Sequence, residues 1–217
     1  MRLNKGVFLV LLVKFCSLDG LSGEDDIFRP EKHKNFKLLP AKNECGIATQ
    51  TTDILDRSGR IHGGYKTKLG EVPWIVTFGR YYKYPSPSEP FPTMCGGSLI
   101  SKYYVLTAAH CTEPFENTAI LRFVRFGEWN ATGDPDCHGG ICAPPVQDIK
   151  FNEIVKHNYD WLTMDNDIAL LRLEKPPILN AFVQPVCLPY GPAMNMDFTD
   201  QETLVAGWGK TGSYDSF

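Results

Sequence analysis

Leu106-Thr107-Ala108-Ala109-His110-Cys111 places a histidine directly after a short apolar and β-branched run, residues 103–107, which predicts a strand. A side chain at a strand end projects from an anchored backbone, and the small Ala108 and Ala109 leave room for a turn. An imidazole, whose ordinary pKa is about 6.5, can take up and return a proton at neutral pH. His110 is therefore a candidate general base, although a lone histidine is more commonly a structural core residue.

Asp165-Asn166-Asp167-Ile168-Ala169-Leu170 supplies candidate partners for this histidine, because two carboxylates precede an apolar run that continues to residue 173. A buried carboxylate beside an imidazole fixes its tautomer and stabilises its charged form. A purely structural aspartate that caps a turn is the alternative. The pattern leaves Asp165 and Asp167 as competitors for the role.

Short apolar or β-branched runs separated by Gly, Pro and Asn occur throughout the chain after residue 60, at intervals typical of an all-β barrel. No internal repeat and no sustained helical period occurs. The sequence therefore predicts an all-β fold. Its clearest runs are residues 74–78, 98–100, 103–107, 121–126, 168–173 and 204–208.

The overall charge limits the kinds of partner. The chain has 217 residues and a formal net charge of −3, and its basic residues are scattered. No basic patch marks a nucleic-acid surface, so no nucleic-acid partner is expected.

The N-terminus has the pattern of a secretory signal peptide. Arg2 and Lys5 precede a short apolar run at 6–13, and small residues follow between Ser17 and Gly23. We expect a leader over about residues 1–23, with a buried first strand or helix as the alternative. The run is about half of the ~18 residues that a membrane span needs, so no membrane anchor is expected.

The cysteines support a secreted, extracellular location. Of the seven, Cys16 lies in the expected leader, and an even number remains. Such a set predicts a disulfide framework, although six cysteines allow 15 pairings. Asn130-Ala131-Thr132 is a sequon for glycosylation in the secretory pathway. The remaining cysteines are Cys45, Cys95, Cys111, Cys137, Cys142 and Cys187.

Residues 24–60 are polar and are broken by Pro30, Pro40 and Gly46. This composition predicts an exposed propeptide or linker. The folded domain is expected over residues 61–217.

The histidine and aspartate stretches resemble the signatures of the chymotrypsin-like (S1) serine proteases, in that family's order of His before Asp. The resemblance implies that His110 is the general base. It implies that Asp167, in Asp-Ile-Ala-Leu, orients the imidazole and that Asp165 is a solvated charge. It also implies the two-barrel trypsin-like fold, with a six-stranded N-terminal barrel ending near residue 189 and a second barrel only begun at 203–211.

The nucleophile of this family lies in Gly-Asp-Ser-Gly-Gly, well after the aspartate, and no such stretch occurs in the 217 residues. Ser98 follows Cys95-Gly96-Gly97, which is structural in the family, and Ser213 and Ser216 lack the glycines that build an oxyanion hole. We therefore expect an S1 domain that is incomplete at its C-terminus, truncated before the catalytic serine and inactive as written.

Arg60-Ile61-His62-Gly63-Gly64 resembles the zymogen activation site of the family, where cleavage after Arg60 frees the Ile61 amine. A basic turn in a linker is the alternative. The family resemblance also implies three disulfides. One of them, Cys45–Cys187, would keep the propeptide attached to the protease after cleavage. A metal site built from the thiols of Cys137 and Cys142 with His138 is disfavoured outside a reducing compartment. The implied pairs are Cys45–Cys187, Cys95–Cys111 and Cys137–Cys142.

Residues 134–149 resemble the arthropod clip-domain proteases, including prophenoloxidase-activating and easter-like enzymes, as does Lys37-Leu38-Leu39-Pro40 followed by Cys45-Gly46. Residues 24–44 contain no cysteine, whereas a clip domain needs six, so we expect that module to be absent. The loop opened by Glu128 binds calcium in many relatives. Carboxylates at Glu128, Asp134 and Asp136 could supply oxygen ligands for a structural calcium, with simple solvation as the alternative. No cofactor is otherwise required.

These features predict a secreted trypsin-like serine endopeptidase of an extracellular proteolytic cascade. Its expected partners are protein substrates, an upstream activating protease and protease inhibitors. The alternative is a non-catalytic homologue that binds protease partners or inhibitors as a decoy. A single barrel without its mate would expose a broad apolar face, which counts against that alternative.

Overall fold

The computed structural model describes residues 2–4, 30–48, 65–82, 95–114, 119–201 and 203–208. Within these ranges the helical elements are short 3₁₀ turns, and none is long and apolar enough to cross a membrane. The expectation of an all-β fold is confirmed. The strands are β1 (Arg2–Asn4), β2 (Tyr65–Lys66), β3 (Ile75–Tyr82), β4 (Gly96–Ser101), β5 (Tyr104–Thr107), β6 (Ala119–Phe126), β7 (Cys137–His138), β8 (Ile141–Cys142), β9 (Gln147–Lys156), β10 (Ala169–Leu173) and β11 (Val205–Gly207).

Six strands close into an antiparallel barrel in the order β10-β5-β4-β3-β6-β9. The strand period of two is clear in β10, where Leu171 and Leu173 are buried and Arg172 is exposed. Leu99, Val105 and Leu171 are 0% exposed, so the barrel interior is filled by side chains. The predicted six-stranded barrel is confirmed, and its strands lie between residues 75 and 173.

The Gly96-Gly97 pair marks a close approach between β4 and β5. A Cβ atom on Gly97 would lie 2.7 Å from the carbonyl oxygen of Leu106 and 3.0 Å from a methyl carbon of Val105. Ser98 continues the ladder, opposite Ile75 on one side and Leu106 on the other. The Gly-Gly-Ser stretch is therefore structural in this fold.

Outside the barrel, β1 lies between β11 and β2 in a three-stranded sheet. The residues of β1 belong to the segment for which the sequence predicts a leader. Residues 1 and 5–29 lie outside the described ranges, so the leader stays a prediction. The second small sheet is the β7–β8 hairpin.

The predicted linker is described over residues 30–48, and this part is attached to the chain that follows the barrel. Cys45 forms a disulfide with Cys187, and the hydroxyl of Tyr190 donates to the carbonyl oxygen of Pro40 at 3.1 Å. Gly46 has φ of +68°, and a Cβ atom there would lie 3.4 Å from the sulfur of Cys187. The segment is largely exposed, as predicted, but it is docked rather than free.

Candidate active site

His110 lies on the 3₁₀ turn Ala109–Thr112, which follows β5 after a single residue. The turn is fixed at both ends, because the Thr107 hydroxyl donates to the Gly96 carbonyl at 2.8 Å and the Thr112 hydroxyl donates to the Ala109 carbonyl at 2.7 Å. Ala109 is 0% exposed, so a larger side chain would have no space there. The turn thus anchors the backbone, while 43% of the His110 side chain remains exposed.

The pairing of β10 with β5 brings Asp167 to this histidine. Ala169 lies opposite Thr107 in that antiparallel pair, so the residues just before Ala169 meet those just after Thr107. One carboxylate oxygen of Asp167 accepts the backbone N–H of His110 at 2.8 Å, and the other lies 2.7 Å from Nδ1 of its ring. Only 17% of the Asp167 side chain is exposed, so the carboxylate is held against the imidazole.

This geometry assigns the tautomer of His110. A carboxylate accepts hydrogen bonds, so Nδ1 carries the proton and Nε2 has a free lone pair. The nearest sulfur atoms to Nε2 are those of Cys111 at 3.4 Å and Cys95 at 3.9 Å. Both belong to one disulfide and carry no hydrogen. Nε2 is therefore available to accept a proton from an incoming hydroxyl.

Cys95, His110 and Cys111 also form a compact group with ligand atoms within 4.8 Å of one another. A thiolate is the form of cysteine that binds metal ions. Here the two sulfurs are bonded to each other. The group is consequently not a metal site in the oxidised chain.

Asp165, the competing carboxylate, lies exposed in the loop before β10. Its Oδ2 accepts the hydroxyl of Thr163 at 2.8 Å, and its carbonyl oxygen accepts the N–H of Asp160 at 3.0 Å. It therefore shapes the loop, and Asp167 is the carboxylate that contacts His110.

No serine hydroxyl hydrogen-bonds to His110 in the part of the chain that the structure describes. Ser98 lies within β4. Ser213 and Ser216 lie outside the described residues, and so do Arg60 and Ile61 of the predicted activation site.

The described residues contain three disulfides, and they are the pairs that the family resemblance implied. Cys137 and Cys142 lie opposite each other in the β7–β8 hairpin. Because their sulfurs are bonded to each other, the alternative of a metal site built from these two thiols with His138 is wrong. The pairs are Cys45–Cys187, Cys95–Cys111 and Cys137–Cys142.

The three carboxylates expected to bind calcium are not gathered into one cluster within 4.8 Å among the described residues. Asp136 is buried, and its Oδ2 accepts the backbone N–H groups of Trp129 at 2.8 Å and Asn130 at 3.0 Å. Asp134 accepts the backbone N–H of Val146 at 3.1 Å. These two aspartates hold the loop together through its backbone.

Glu128 differs from these two aspartates, because its carboxylate is buried and one of its oxygens lacks a hydrogen-bond partner among the described residues. Its Oε1 has no hydrogen-bond partner among the described residues, and its Oε2 lies 3.6 Å from a guanidinium nitrogen of Arg125. Burial raises the pKa of Glu128, the charge of Asp136 raises it further, and Arg125 opposes both effects. The unpartnered Oε1 of Glu128 is an oxygen donor of the kind that calcium takes, and a calcium site built from Glu128, Asp134 and Asp136 stays a prediction.

One feature near Asp167 was missed by the sequence pattern, namely the exposed apolar side chains of the loop 157–166. Trp161 is 72% exposed, Leu162 is 71% exposed and Met164 is 48% exposed. The signal was the adjacent pair Trp161-Leu162 in a polar segment without strand alternation. Read alone, such a pair would be assigned to the core.

Residues 61–216 match the sequence profile of the family described as Trypsin. The CLIP domain-containing serine protease HP8 of Bombyx mori is 42% identical over 180 residues, which are 80% of this chain and 45% of that protein. The phenoloxidase-activating factor 3 of Holotrichia diomphalia is 40% identical over 180 residues, 80% of this chain and 47% of that protein.

Among solved structures, the Drosophila Grass clip serine protease of the Toll pathway aligns with a TM-score of 0.59 and 30% identity. The alignment covers 74% of this chain and 43% of that one. The chain thus spans less than half the length of each of these relatives. Its sequence, its barrel and its relatives agree: the chain belongs to the trypsin family of serine proteases, and its relatives include the arthropod clip-domain members.

Proposed function

We propose that the chain is the His–Asp part of a secreted trypsin-like serine endopeptidase that acts in an extracellular proteolytic cascade. The observation that carries this proposal is the 2.7 Å contact between His110 Nδ1 and Asp167 Oδ2, which leaves Nε2 free to accept a proton. Relatives named as a phenoloxidase-activating factor and a Toll-pathway protease support an extracellular cascade with protein substrates and an upstream activator.

In the proposed reaction, Nε2 of His110 takes the proton of a serine hydroxyl while the serine oxygen attacks the scissile carbonyl carbon. Asp167 stabilises the imidazolium that forms, and its low exposure limits the screening of that attraction by water. The imidazolium then gives the proton to the leaving amine. Water repeats the sequence on the acyl-enzyme and restores the serine.

The serine itself is not provided by any Gly-Asp-Ser-Gly-Gly stretch in the 217 residues. Sequencing the transcript beyond the codon for Phe217 tests the proposal. An open frame that encodes Gly-Asp-Ser-Gly-Gly supports the endopeptidase. A stop codon there in full-length transcripts would favour the non-catalytic homologue that binds protease partners or inhibitors.

The Cys45–Cys187 disulfide should act as a tether in the proposed zymogen. Cleavage at Arg60 by a trypsin-like activator breaks the peptide chain between these two cysteines. We nevertheless expect the Cys45 peptide to stay joined to the Cys187 peptide, because the disulfide still links them. Non-reducing gels and disulfide mapping by mass spectrometry measure this.

Replacing both Cys45 and Cys187 by serine should release the N-terminal fragment without reductant. The same change at Cys137 and Cys142 is the matched control and should not release it, since that disulfide closes a hairpin. Free Cys45 and Cys187 thiols in folded material would contradict the tether.

Asn130 is the proposed glycan acceptor of the secreted protein. Its side-chain oxygen accepts the hydroxyl of Thr132 at 3.0 Å, and Thr132 is exposed at the surface of the loop. This places both ends of the sequon in local contact at an accessible turn.

Calcium binding at Glu128 is a further part of the proposal, and Glu128→Gln tests it through stability. The folded-state pKa of Glu128 is raised, so its ionised form opposes folding, and this penalty appears as the pH rises through that pKa. In a chelator at pH 7 we expect the variant to unfold at a higher temperature than the unmodified chain, and this gain should vanish near pH 4, where the carboxyl group is protonated in both states.

Added calcium should raise the Tm of the unmodified chain but not that of Glu128→Gln. The control is Glu174→Gln, which changes an exposed carboxylate and should behave like the unmodified chain. If calcium raised the Tm of Glu128→Gln as much as that of the unmodified chain, the proposed calcium site would be wrong. If Glu128→Gln unfolded at a lower temperature than the unmodified chain in chelator at pH 7, the argument that the buried charge opposes folding would be wrong.

A further inference from the structure

The Cys95–Cys111 disulfide lies against the ring nitrogen of His110 that Asp167 does not contact. The sulfur of Cys111 is 3.4 Å from Nε2, and the sulfur of Cys95 is 3.9 Å from it. The ligand atoms of these three residues all lie within 4.8 Å of one another. Sulfurs that are bonded to each other are poor metal ligands, so the group gains this capacity only when the disulfide is open.

The spacing of the three atoms is close to that of a tetrahedral zinc site. Zinc lies about 2.3 Å from a thiolate sulfur and about 2.0 Å from an imidazole nitrogen, so the two ligand atoms are about 3.5 Å apart. The observed distances of 3.4 Å and 3.9 Å from Nε2 to the two sulfurs lie on either side of this value. The sulfurs would have to separate from each other, and reduction of the disulfide brings this about.

His110 is also oriented in the way that metal-binding histidines are. Such histidines usually donate the other ring N–H to a carboxylate, which fixes the ring and makes the ligand nitrogen more basic. Nδ1 of His110 lies 2.7 Å from Oδ2 of Asp167, and the other carboxylate oxygen accepts the backbone N–H of His110 at 2.8 Å. The lone pair of Nε2 is therefore held beside the two sulfurs.

The disulfide is accessible to a reductant at one of its two sulfurs. Cys95 is half-buried, whereas Cys111 is 5% exposed, so an incoming thiolate meets Cys95 first. The thiolate of a dithiol reductant forms a bond to Sγ of Cys95, the S–S bond breaks, and its electron pair leaves on Sγ of Cys111. The second sulfur of the reductant then displaces Cys95, and the reductant departs as a cyclic disulfide. The chain gains two electrons, and the two thiol protons pass to solvent.

We propose that Cys95, Cys111 and His110 bind one zinc ion when the disulfide between the two cysteines is reduced. Two thiolate sulfurs and Nε2 would supply three ligands, and the His110 side chain is 43% exposed, which leaves a fourth position open to water. The ion would occupy the lone pair that the proposed reaction needs, so a serine could not be deprotonated. That consequence rests on the proposed function, whereas the zinc site itself does not.

Zinc titration of the full 217-residue chain, with a chromophoric chelator as competitor, tests the site. A phosphine opens the disulfides without adding a thiol that would bind the metal, and it is oxidised to the phosphine oxide. We expect the reduced chain to bind a zinc ion that the oxidised chain does not bind. Cobalt(II) in place of zinc should show absorption from thiolate-to-metal charge transfer.

Two pairs of variants identify the ligands. Changing both Cys95 and Cys111 to serine should abolish binding of this zinc ion, whereas the same change at Cys137 and Cys142 is the matched control and should leave it bound.

Asp167→Asn should weaken zinc binding by about 10–100-fold, the usual cost of losing the carboxylate behind a metal-binding histidine, and Asp165→Asn should not weaken it. Asp167 is 57 residues from His110 in the sequence, so its effect requires the folded barrel.

Equal zinc binding by the reduced chain and by its Cys95 and Cys111 double variant would overturn the site. Unchanged affinity in His110→Ala or in Asp167→Asn would overturn it as well. If reduction unfolds the chain, which circular dichroism detects, the two aspartate variants would bind zinc alike and the proposal would be wrong. Peptide hydrolysis enters none of these measurements, so an inactive completed enzyme would count against the proposed function and not against the zinc site.

Discussion

Asp167→Asn should lower the kcat of a completed enzyme by about 10⁴, the loss known for this change in chymotrypsin-like proteases, whereas Asp165→Asn should leave it unchanged. The enzyme for this test is the chain fused after Thr211 to a trypsin-family second barrel and activated at Arg60. The neutral amide cannot hold the Nδ1–H tautomer or stabilise an imidazolium, and the carboxylate of Asp167 lies 2.7 Å from that nitrogen. Peptide-ester hydrolysis measures the effect.

The same enzyme provides the controls. His110→Ala should cost at least as much as Asp167→Asn, since it removes the base itself, and activity should depend on cleavage at Arg60. The Asp165 variant is the matched control, because its carboxylate lies two residues away and contacts Thr163 instead of the imidazole. Full activity with Asp167→Asn and loss with Asp165→Asn would show that the carboxylate assignment is wrong.

The 217-residue chain by itself should hydrolyse no arginyl, aromatic or small-residue peptide ester, even after an activator has cut it at Arg60. Its rate should fall at least about 10⁶-fold below that of the completed enzyme, the smallest acceleration that enzymes typically give. The reason is that His110 has no nucleophile to deprotonate in the described residues, and the sequence lacks Gly-Asp-Ser-Gly-Gly. Initial rates with purified, activator-free chain measure this.

Any residual turnover is interpreted through His110→Ala. Turnover that survives this change comes from contaminating protease. Turnover that the change abolishes would mean that a nucleophile is present within the 217 residues, and the account of the chain would be wrong.

The strands that could be predicted from the sequence are those whose side chains alternate between core and solvent or are buried on both sides. β10 is an example, because Ala169, Leu171 and Leu173 are buried and Arg172 is not. β9 was not among the predicted runs, because its residues do not form a buried apolar pattern. Of its ten residues only Ile149 is buried, so backbone pairing with β6 and β10 holds it, and composition does not encode that pairing.

In the candidate site too, some features could be predicted from the sequence and others depend on how the chain folds. His110 and Asp167 could be found because each lies in a continuous local motif, and the barrel then brings them into contact. Asp134 and Asp136 were expected to bind calcium, which stays a prediction, and the backbone N–H groups that they accept could not be predicted because those contacts depend on how the loop folds. The exposure of Trp161 could not be predicted either, because burial is decided by neighbours from elsewhere in the chain.

The central claim is that Asp167 and His110 form a general-base pair in this chain, and the proton between them can be observed directly. Proton NMR of the isotope-labelled chain should show a far-downfield resonance from His110 Nδ1–H, because a hydrogen bond to a carboxylate at 2.7 Å strongly deshields that proton. The resonance should disappear in Asp167→Asn and persist in Asp165→Asn. Its persistence in Asp167→Asn, or its loss in Asp165→Asn alone, would contradict the account.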